Sequence, residues 1–142
     1  MIDARTAPYA ALTLRLALGT MFIAHALLKV FVFTVPGTVQ FFASIGLPGV
    51  LAYATIAAEL LGGAMLLLGI QTRWVAALLI PVLLGATWAH APNGWLFTAP
   101  QGGWEYPAFL AVAAFVQALL GNGAYALQSA VKGERDVRLL AA

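Results

Sequence analysis

Residues 50–70 read VLAYATIAAELLGGAMLLLGI, and Glu59 is the single formal charge in this stretch. About 20 apolar residues at 1.5 Å each form a helix long enough to cross the hydrocarbon core of a bilayer. The pattern extends in both directions, because the 102 positions from 30 to 131 carry only three formal charges, Glu59, Arg73 and Glu105. A soluble exterior needs charge spread over its surface. With 63% hydrophobic and 8% charged residues, the sequence predicts an integral membrane protein.

Three other stretches also have the length and the apolar content of a span. The sequence therefore predicts an all-α, polytopic membrane protein with one transmembrane domain over residues 1–142 and a four-transmembrane-helix bundle. The predicted helices cover residues 9–33, 50–70, 74–91 and 106–128. Between the first two, Pro36-Gly37 and Gly46-Leu47-Pro48-Gly49 are typical of turns, so residues 34–49 are predicted to form an outer-side loop or a short interfacial helix.

The distribution of Lys and Arg predicts the orientation. With four spans, one side of the membrane collects the basic residues of the short flanking segments, namely Arg5, Arg73, Lys132, Arg135 and Arg138. The loops on the other side, residues 34–49 and 91–105, contain no Lys or Arg. Because basic residues stay on the cytoplasmic side, both termini and a tail at 129–142 are predicted to be cytoplasmic.

Composition also excludes several classes of function. A net charge of +2 without a basic stripe leaves no footprint for a nucleic-acid partner. The chain contains no cysteine, so a disulfide framework, a thiolate metal site, an Fe–S cluster and a thiol relay within this chain are all excluded.

The polar residues that fall within the predicted spans are the candidates for function, because each carries an insertion cost of about 3 kcal/mol. At 100° per residue, Arg15, His25 and Lys29 share one stripe of the first helix. Glu59 lies near the middle of the second helix. We expect His25, Lys29, His90 and Glu105 to converge on the outer leaflet above Glu59. This set is predicted to hold mobile protons, although ion pairs that simply join helices remain an alternative reading.

Two cofactor readings of the same residues are weaker. The two histidines allow a bis-imidazole haem, and His25, Glu59, His90 and Glu105 have ligand types that suit Zn, Mn or Fe. Neither has a specific spacing, so no metal ligand is assigned and both groups are disfavoured without being excluded. Arg15 stands alone in the inner half and is predicted to be structural, to meet a lipid headgroup or to pair with Gln117.

Short motifs in all four helices carry a resemblance to a known family. They are Arg15…Phe22-Ile23-x-His25-x-x-x-Lys29, Ala58-Glu59-Leu60-Leu61-Gly62-Gly63, His90-x-x-Asn93-Gly94 and Gly102-Gly103-Trp104-Glu105-Tyr106. Together they resemble the DoxX family of small bacterial four-helix membrane proteins. The resemblance implies the bacterial cytoplasmic (inner) membrane and a redox role, since relatives include the membrane subunit of a thiosulfate:quinone oxidoreductase. It also implies that Glu59, His25, Lys29, His90 and Glu105 form the functional core.

The leading hypothesis is therefore a subunit or partner of a quinone-linked redox system. His25, Lys29 or His90 would donate hydrogen bonds to the quinone carbonyls, and Glu59 and Glu105 would relay protons from the outer surface. Phe22, Phe41, Phe42 and Trp95 would flank the ring. Electrons would come from a protein partner or a bound cofactor, because the chain contains no obvious redox centre. The alternatives are a structural or assembly subunit of a membrane complex and a small proton-coupled transporter. Association into a homo-oligomer is left open.

Overall fold

The computed structural model describes residues 3–129, and over this range the chain is helical with no strand. Five α-helices follow one another, with a π-helical turn after the first and a 3-10 turn after the fourth. They are α1 (Ala7–Leu27, continued by the π-helix Leu28–Val32), α2 (Val35–Ser44), α3 (Val50–Leu68), α4 (Thr72–His90, continued by the 3-10 turn Ala91–Asn93) and α5 (Glu105–Leu120).

Three of these helical segments are long and apolar enough to cross a membrane. They are Ala7–Val32, Val50–Leu68 and Thr72–Asn93, which correspond to the first three predicted spans. The prediction of an all-helical, multi-pass membrane protein is confirmed to that extent. The fourth predicted span corresponds to α5, which is apolar but only 16 residues long.

The long helices pack as two pairs, α1 on α3 and α4 on α5, and contacts between α3 and α4 and between α1 and α5 join the pairs. The buried core between them consists mainly of Leu, Val and Ala side chains, with Phe22 on α1. Glycine allows the closest approach. A Cβ atom added at Gly63 would lie 2.9 Å from the carbonyl oxygen of Gly19, and the reverse substitution meets Gly63 at the same distance. Backbone therefore contacts backbone where α1 crosses α3.

The end of α5 differs from the prediction, because the helix ends at Leu120 rather than at residue 128. Gly121 and Gly123 have φ angles of +83° and +70°, a left-handed conformation that glycine adopts without a steric penalty. The chain then turns back across the end of the bundle, where Ala124 N–H donates to the carbonyl of Pro8. Apart from Ser129, the predicted tail at 129–142 lies outside the described residues.

The connection between the first two spans contains a helix. Thr34 begins it with a φ of +62°, and its hydroxyl oxygen accepts a hydrogen bond from Gly37 N–H, which caps α2. The helix α2 packs against α3 and against the π-helix. A short helix therefore occupies residues 35–44, and its position at the membrane interface stays a prediction.

Candidate functional site

A buried ion pair joins α1 to α3. The Lys29 ammonium lies 2.8 Å from both carboxylate oxygens of Glu59. The Glu59 side chain is 7% exposed and the Lys29 side chain 19%. The pair thus places two charges of opposite sign inside a largely apolar helix interface, where their attraction offsets part of the cost of removing both from water. It is the only salt bridge between side chains of residues 3–129.

The π-helix positions Lys29. A π turn accommodates about one extra residue in a helical turn, so some backbone groups lack their usual partner within the helix. Here Thr38 of α2 donates its hydroxyl to the carbonyl of Lys29 at 3.1 Å, or to that of Thr34 at 2.9 Å. The Lys29 ammonium also lies 3.4 Å from the carbonyl oxygen of His25, one turn earlier. The backbone around Lys29 is therefore held from α2 while its side chain reaches α3.

His25 links this pair to α5. Its Nδ1 lies 2.8 Å from the carbonyl oxygen of Met21, so Nδ1 carries the proton and Nε2 is the nitrogen left open. The imidazole stacks on the phenol of Tyr106, with ring centroids 5.9 Å apart and an interplanar angle of 27°. The Tyr106 hydroxyl makes only a weak contact, 3.5 Å to the sulfur of Met21. Contacts thus run from Glu59 to the Lys29 ammonium, from the ammonium to the backbone carbonyl of His25, and from the His25 ring to Tyr106.

His90 and Glu105 lie at the two ends of the connection 91–104 and hold it together. His90 Nδ1 lies 3.1 Å from the carbonyl oxygen of Gly102, to which Asn93 also donates at 2.8 Å. One carboxylate oxygen of Glu105 accepts the backbone N–H of Phe97 at 2.8 Å. The structure therefore brings His25, Lys29 and Glu59 into one group, whereas the hydrogen bonds of His90 and Glu105 go to the connection.

A cavity of about 510 Å³ opens at this end of α5. Its lining is mainly aromatic and apolar, with one carboxylate and one phenol, and consists of Trp95, Phe97, Glu105, Tyr106, Ala108, Phe109 and Val112. We call it the outer cavity. A volume of 300–1,000 Å³ with few polar groups is typical of sites for small organic molecules. Trp95 is fixed edge-to-face against Trp104, with ring centroids 4.5 Å apart.

The four aromatic residues predicted to flank a ring lie in three different places. Trp95 lines the outer cavity. Phe22 is buried in the core between the helices. Phe41 and Phe42 contact each other edge-to-face on α2 and are not part of the cavity lining. The residue that sequence reasoning did not single out is Tyr106, which lines the cavity and contacts His25. It was visible only as the last residue of the Gly102–Tyr106 motif.

Arg15 lies at the other end of α1 and is 1% exposed. It donates one hydrogen bond, from Nη2 to the carbonyl of Ala124 at 3.2 Å, while Nε and Nη1 have no partner among the described residues. Its guanidinium lies against Gly69, where α3 ends and the helix dipole favours a cation. Gln117 donates instead to the carbonyl of Gly121. Arg15 thus contacts both the turn after α5 and the end of α3 and links the two.

None of these groups forms a cluster of three or more His, Cys, Asp or Glu residues with metal-site geometry within residues 3–129. The proton-carrying groups are instead arranged in pairs, a carboxylate with an ammonium and an imidazole with a phenol. Such groups can accept, hold and release a proton. Tyr106 connects them to the apolar cavity, because it contacts His25 and also lines the cavity.

Comparison with known proteins agrees with the motifs. The family model DoxX matches residues 10–92, a range that includes His25, Lys29, Glu59 and His90. A curated protein of Bacillus subtilis (strain 168), described as "Putative oxidoreductase CatD", is 44% identical over 75 residues, which are 53% of this chain and 54% of that protein. The chain thus spans about half the length of the curated relative it matches. No solved structure matches the chain.

Proposed function

Since the chain belongs to the DoxX family, we propose that it is the membrane component of a quinone-linked redox system, and that the outer cavity binds the quinone ring. The observation that carries this proposal is the position of Tyr106, which lines the cavity and stacks on His25. A side chain in contact with His25 therefore forms part of the wall of the cavity that can hold a quinone ring.

The residues of the outer cavity fit such a ligand. Trp95, Phe97 and Phe109 offer flat apolar surfaces for a ring and for the start of an isoprenoid tail. The Tyr106 hydroxyl can exchange its weak contact with the Met21 sulfur for a stronger hydrogen bond to a ring carbonyl. Glu105 uses one carboxylate oxygen for the Phe97 N–H and has the other available on the same wall.

His25, Lys29 and Glu59 would supply the protons. A bound quinone accepts two electrons and two protons when it becomes a quinol. Tyr106 would donate one proton at a ring carbonyl and regain it from His25 once the imidazole turns towards its hydroxyl, and Glu105 on the same cavity wall would relay the second proton. The Lys29 ammonium, which is paired with Glu59, lies 3.4 Å from the backbone carbonyl of His25. Because Lys29 contacts the backbone of His25 and not its ring, proton transfer from Lys29 to the imidazole would pass through a bridging water.

The electrons would come from a protein partner. The chain has no cysteine to serve as a thiol redox centre. The relative that is described as an oxidoreductase supports a redox context for the family. We therefore propose that a redox enzyme docks on this protein and that the chain contributes the quinone site and the proton path.

We also propose that α5 is the fourth span, which places both termini in the cytoplasm and the protein in the bacterial inner membrane. A helix of 16 residues is about 24 Å long, somewhat short of the roughly 30 Å hydrocarbon core. It packs along α4, and the turn that follows it buries Gly121 and Ala126. The absence of cysteine helps a test, because single cysteines at Arg5 and Trp95 should react with membrane-impermeant maleimide from opposite sides.

Quinone binding tests the proposal directly. Protein in nanodiscs is titrated with a short-chain ubiquinone, and the quenching of tryptophan fluorescence is followed. We expect saturable quenching, and Tyr106→Leu should raise the apparent Kd about tenfold, because a hydrogen bond and a stacked ring are lost. Tyr53→Leu is the matched control, since Tyr53 is 57% exposed on α3 and does not line the cavity. Linear quenching that is equal in both variants would refute the proposal.

One observation favours a second candidate, a structural subunit that acts by assembly alone. The side chains of His90 and Glu105 are engaged in holding the connection 91–104. If this candidate is correct, Glu59→Gln should lower the amount of assembled complex and leave the turnover of each assembled complex unchanged. The quinone proposal requires the turnover itself to fall.

A further inference from the structure

A second cavity lies at the opposite end of the bundle, between the start of α4 and the end of α5. Its volume is about 260 Å³, and it is lined by Gln71, Arg73, Trp74, Leu120, Gly121, Asn122 and Gln128. We call it the inner cavity. Its polar lining contains one guanidinium and three carboxamides and no carboxylate. Because its only charged side chain is a cation, the cavity suits an anion.

The Arg73 side chain is exposed, and its guanidinium lies against the end of α5 with no partner for its donors among residues 3–129. It lies across Gly121, where an added Cβ would come within 2.8 Å of Nε. Among residues 3–129, Arg73 makes no hydrogen bond and no ion pair to a side chain, and no backbone carbonyl accepts from its guanidinium. A planar guanidinium with open donors binds two oxygens of one phosphate group.

Gln128 adds a donor of fixed direction. Its side-chain oxygen accepts the backbone N–H of Gln71 at 2.8 Å, and its backbone N–H donates to the carbonyl of Gly69. The amide oxygen is therefore used, and the amide NH₂ is left to donate.

The rim of the inner cavity indicates the source of the phosphate. Trp74 is 71% exposed and Leu120 is 41% exposed, so an apolar and an amphipathic side chain flank the polar floor. Tryptophan is favoured at the membrane–water interface, and basic pockets between helices bind the headgroups of anionic lipids. A volume of 260 Å³ has room for a phosphate and part of a glycerol but not for acyl chains.

We propose that the inner cavity is a binding site for the phosphate of an anionic phospholipid headgroup, held by Arg73, Gln128 and Asn122 with the acyl chains along Trp74 and Leu120. This site lies at the end of α4 opposite to the outer cavity and does not depend on quinone binding. A lipid held there would fix the ends of α4 and α5 relative to the membrane surface.

Native mass spectrometry of the full chain in mild detergent tests the site. The protein is incubated with phosphatidylglycerol, phosphatidylcholine or inorganic phosphate, and the bound species are counted. We expect retention of phosphatidylglycerol over phosphatidylcholine, and Arg73→Gln should weaken it about tenfold, because a charge-assisted pair of hydrogen bonds is lost. Arg5→Gln removes the same charge outside the cavity and should leave the retention unchanged. Arg73→Lys should fall between wild type and Arg73→Gln, because lysine keeps the charge and loses the planar fork.

The result that would overturn the proposal is equal retention of phosphatidylglycerol by Arg73→Gln and Arg5→Gln, or equal retention of the two lipids by the wild type. Binding of inorganic phosphate that depends on Arg73, without selective retention of phosphatidylglycerol, would also overturn it and would assign the site to a soluble phosphate. A thermal unfolding curve of each variant in the same detergent shows that a loss of lipid does not come from unfolding. Asn122→Ala provides a second, milder variant of the same site.

Discussion

Replacement of Lys29 by methionine should destabilise the protein more than its small change in volume suggests. The Glu59 carboxylate would keep its buried position, with 7% of the side chain exposed, and would lose the ammonium that lies 2.8 Å away. Removal of one partner from a buried pair costs about 3–5 kcal/mol, because the other charge remains without compensation. Lys29 is 19% exposed, so some water reaches the pair, and we expect about 3 kcal/mol for Lys29→Met.

The opposite single variant and the double variant complete the test. Glu59→Gln leaves the Lys29 ammonium with the carbonyl of His25 at 3.4 Å, so its expected cost is smaller, about 2 kcal/mol. The double variant Lys29→Met with Glu59→Leu leaves no buried charge. It should come within about 1 kcal/mol of the wild type and should be more stable than either single variant.

The assay is equilibrium unfolding in mixed micelles with increasing SDS, followed by tryptophan fluorescence and circular dichroism. Gln40→Met serves as the control, because it makes a similar replacement at an exposed polar residue of α2 and should change the stability by less than about 0.5 kcal/mol. The reasoning would be refuted if both single variants changed the free energy of unfolding by less than about 0.5 kcal/mol. It would also be refuted if the loss of stability in the double variant equalled the sum of the two single losses.

Two further predictions follow from the geometry. Gly63→Ala should lower the stability by about 1–3 kcal/mol because its Cβ would overlap the carbonyl of Gly19, and Gly85→Ala, which meets nothing within 4 Å, should be neutral or slightly stabilising in the same SDS titration. Similar losses in both variants would contradict the close crossing of α1 and α3. His90→Ala should make the connection 91–104 more accessible to protease, because Gly102 loses a donor to its carbonyl, while the midpoint of global unfolding changes little; unchanged cleavage would contradict this role.

The sequence predicted the first three spans to within a few residues, because each is a predominantly apolar stretch bounded by Gly, Pro or a basic residue. The end of α5 could not be read in the same way. Residues 121–128 carry no formal charge, so the predicted span extends through them, although Gly121-Asn122-Gly123 is typical of a turn. The positive φ angles of Gly121 and Gly123 end the helix there and turn the chain towards Pro8. Hydropathy reports burial in lipid and does not report backbone direction.

The candidate site was predictable in part. Lys29 and Glu59 fall on the inner faces of their helices at similar depth, and a buried charge needs a partner, so their pairing follows from the helical period. The hydrogen bonds of His90 and Glu105 depend on the path of the backbone at 91–104, which supplies their partners. The helical periodicity of the sequence contains no information about that path. The contact of Tyr106 with His25 likewise depends on how the start of α5 meets α1.

Photo-crosslinking tests the central claim most directly. An azido-quinone is activated in the presence of the protein in nanodiscs, and the labelled peptides are identified by mass spectrometry. The account predicts that the label is concentrated between residues 95 and 112, that an excess of unmodified quinone removes it, and that Tyr106→Leu reduces it while Tyr53→Leu does not. Labelling centred on Phe41 and Phe42, or spread over all helices and insensitive to competing quinone, would contradict the account.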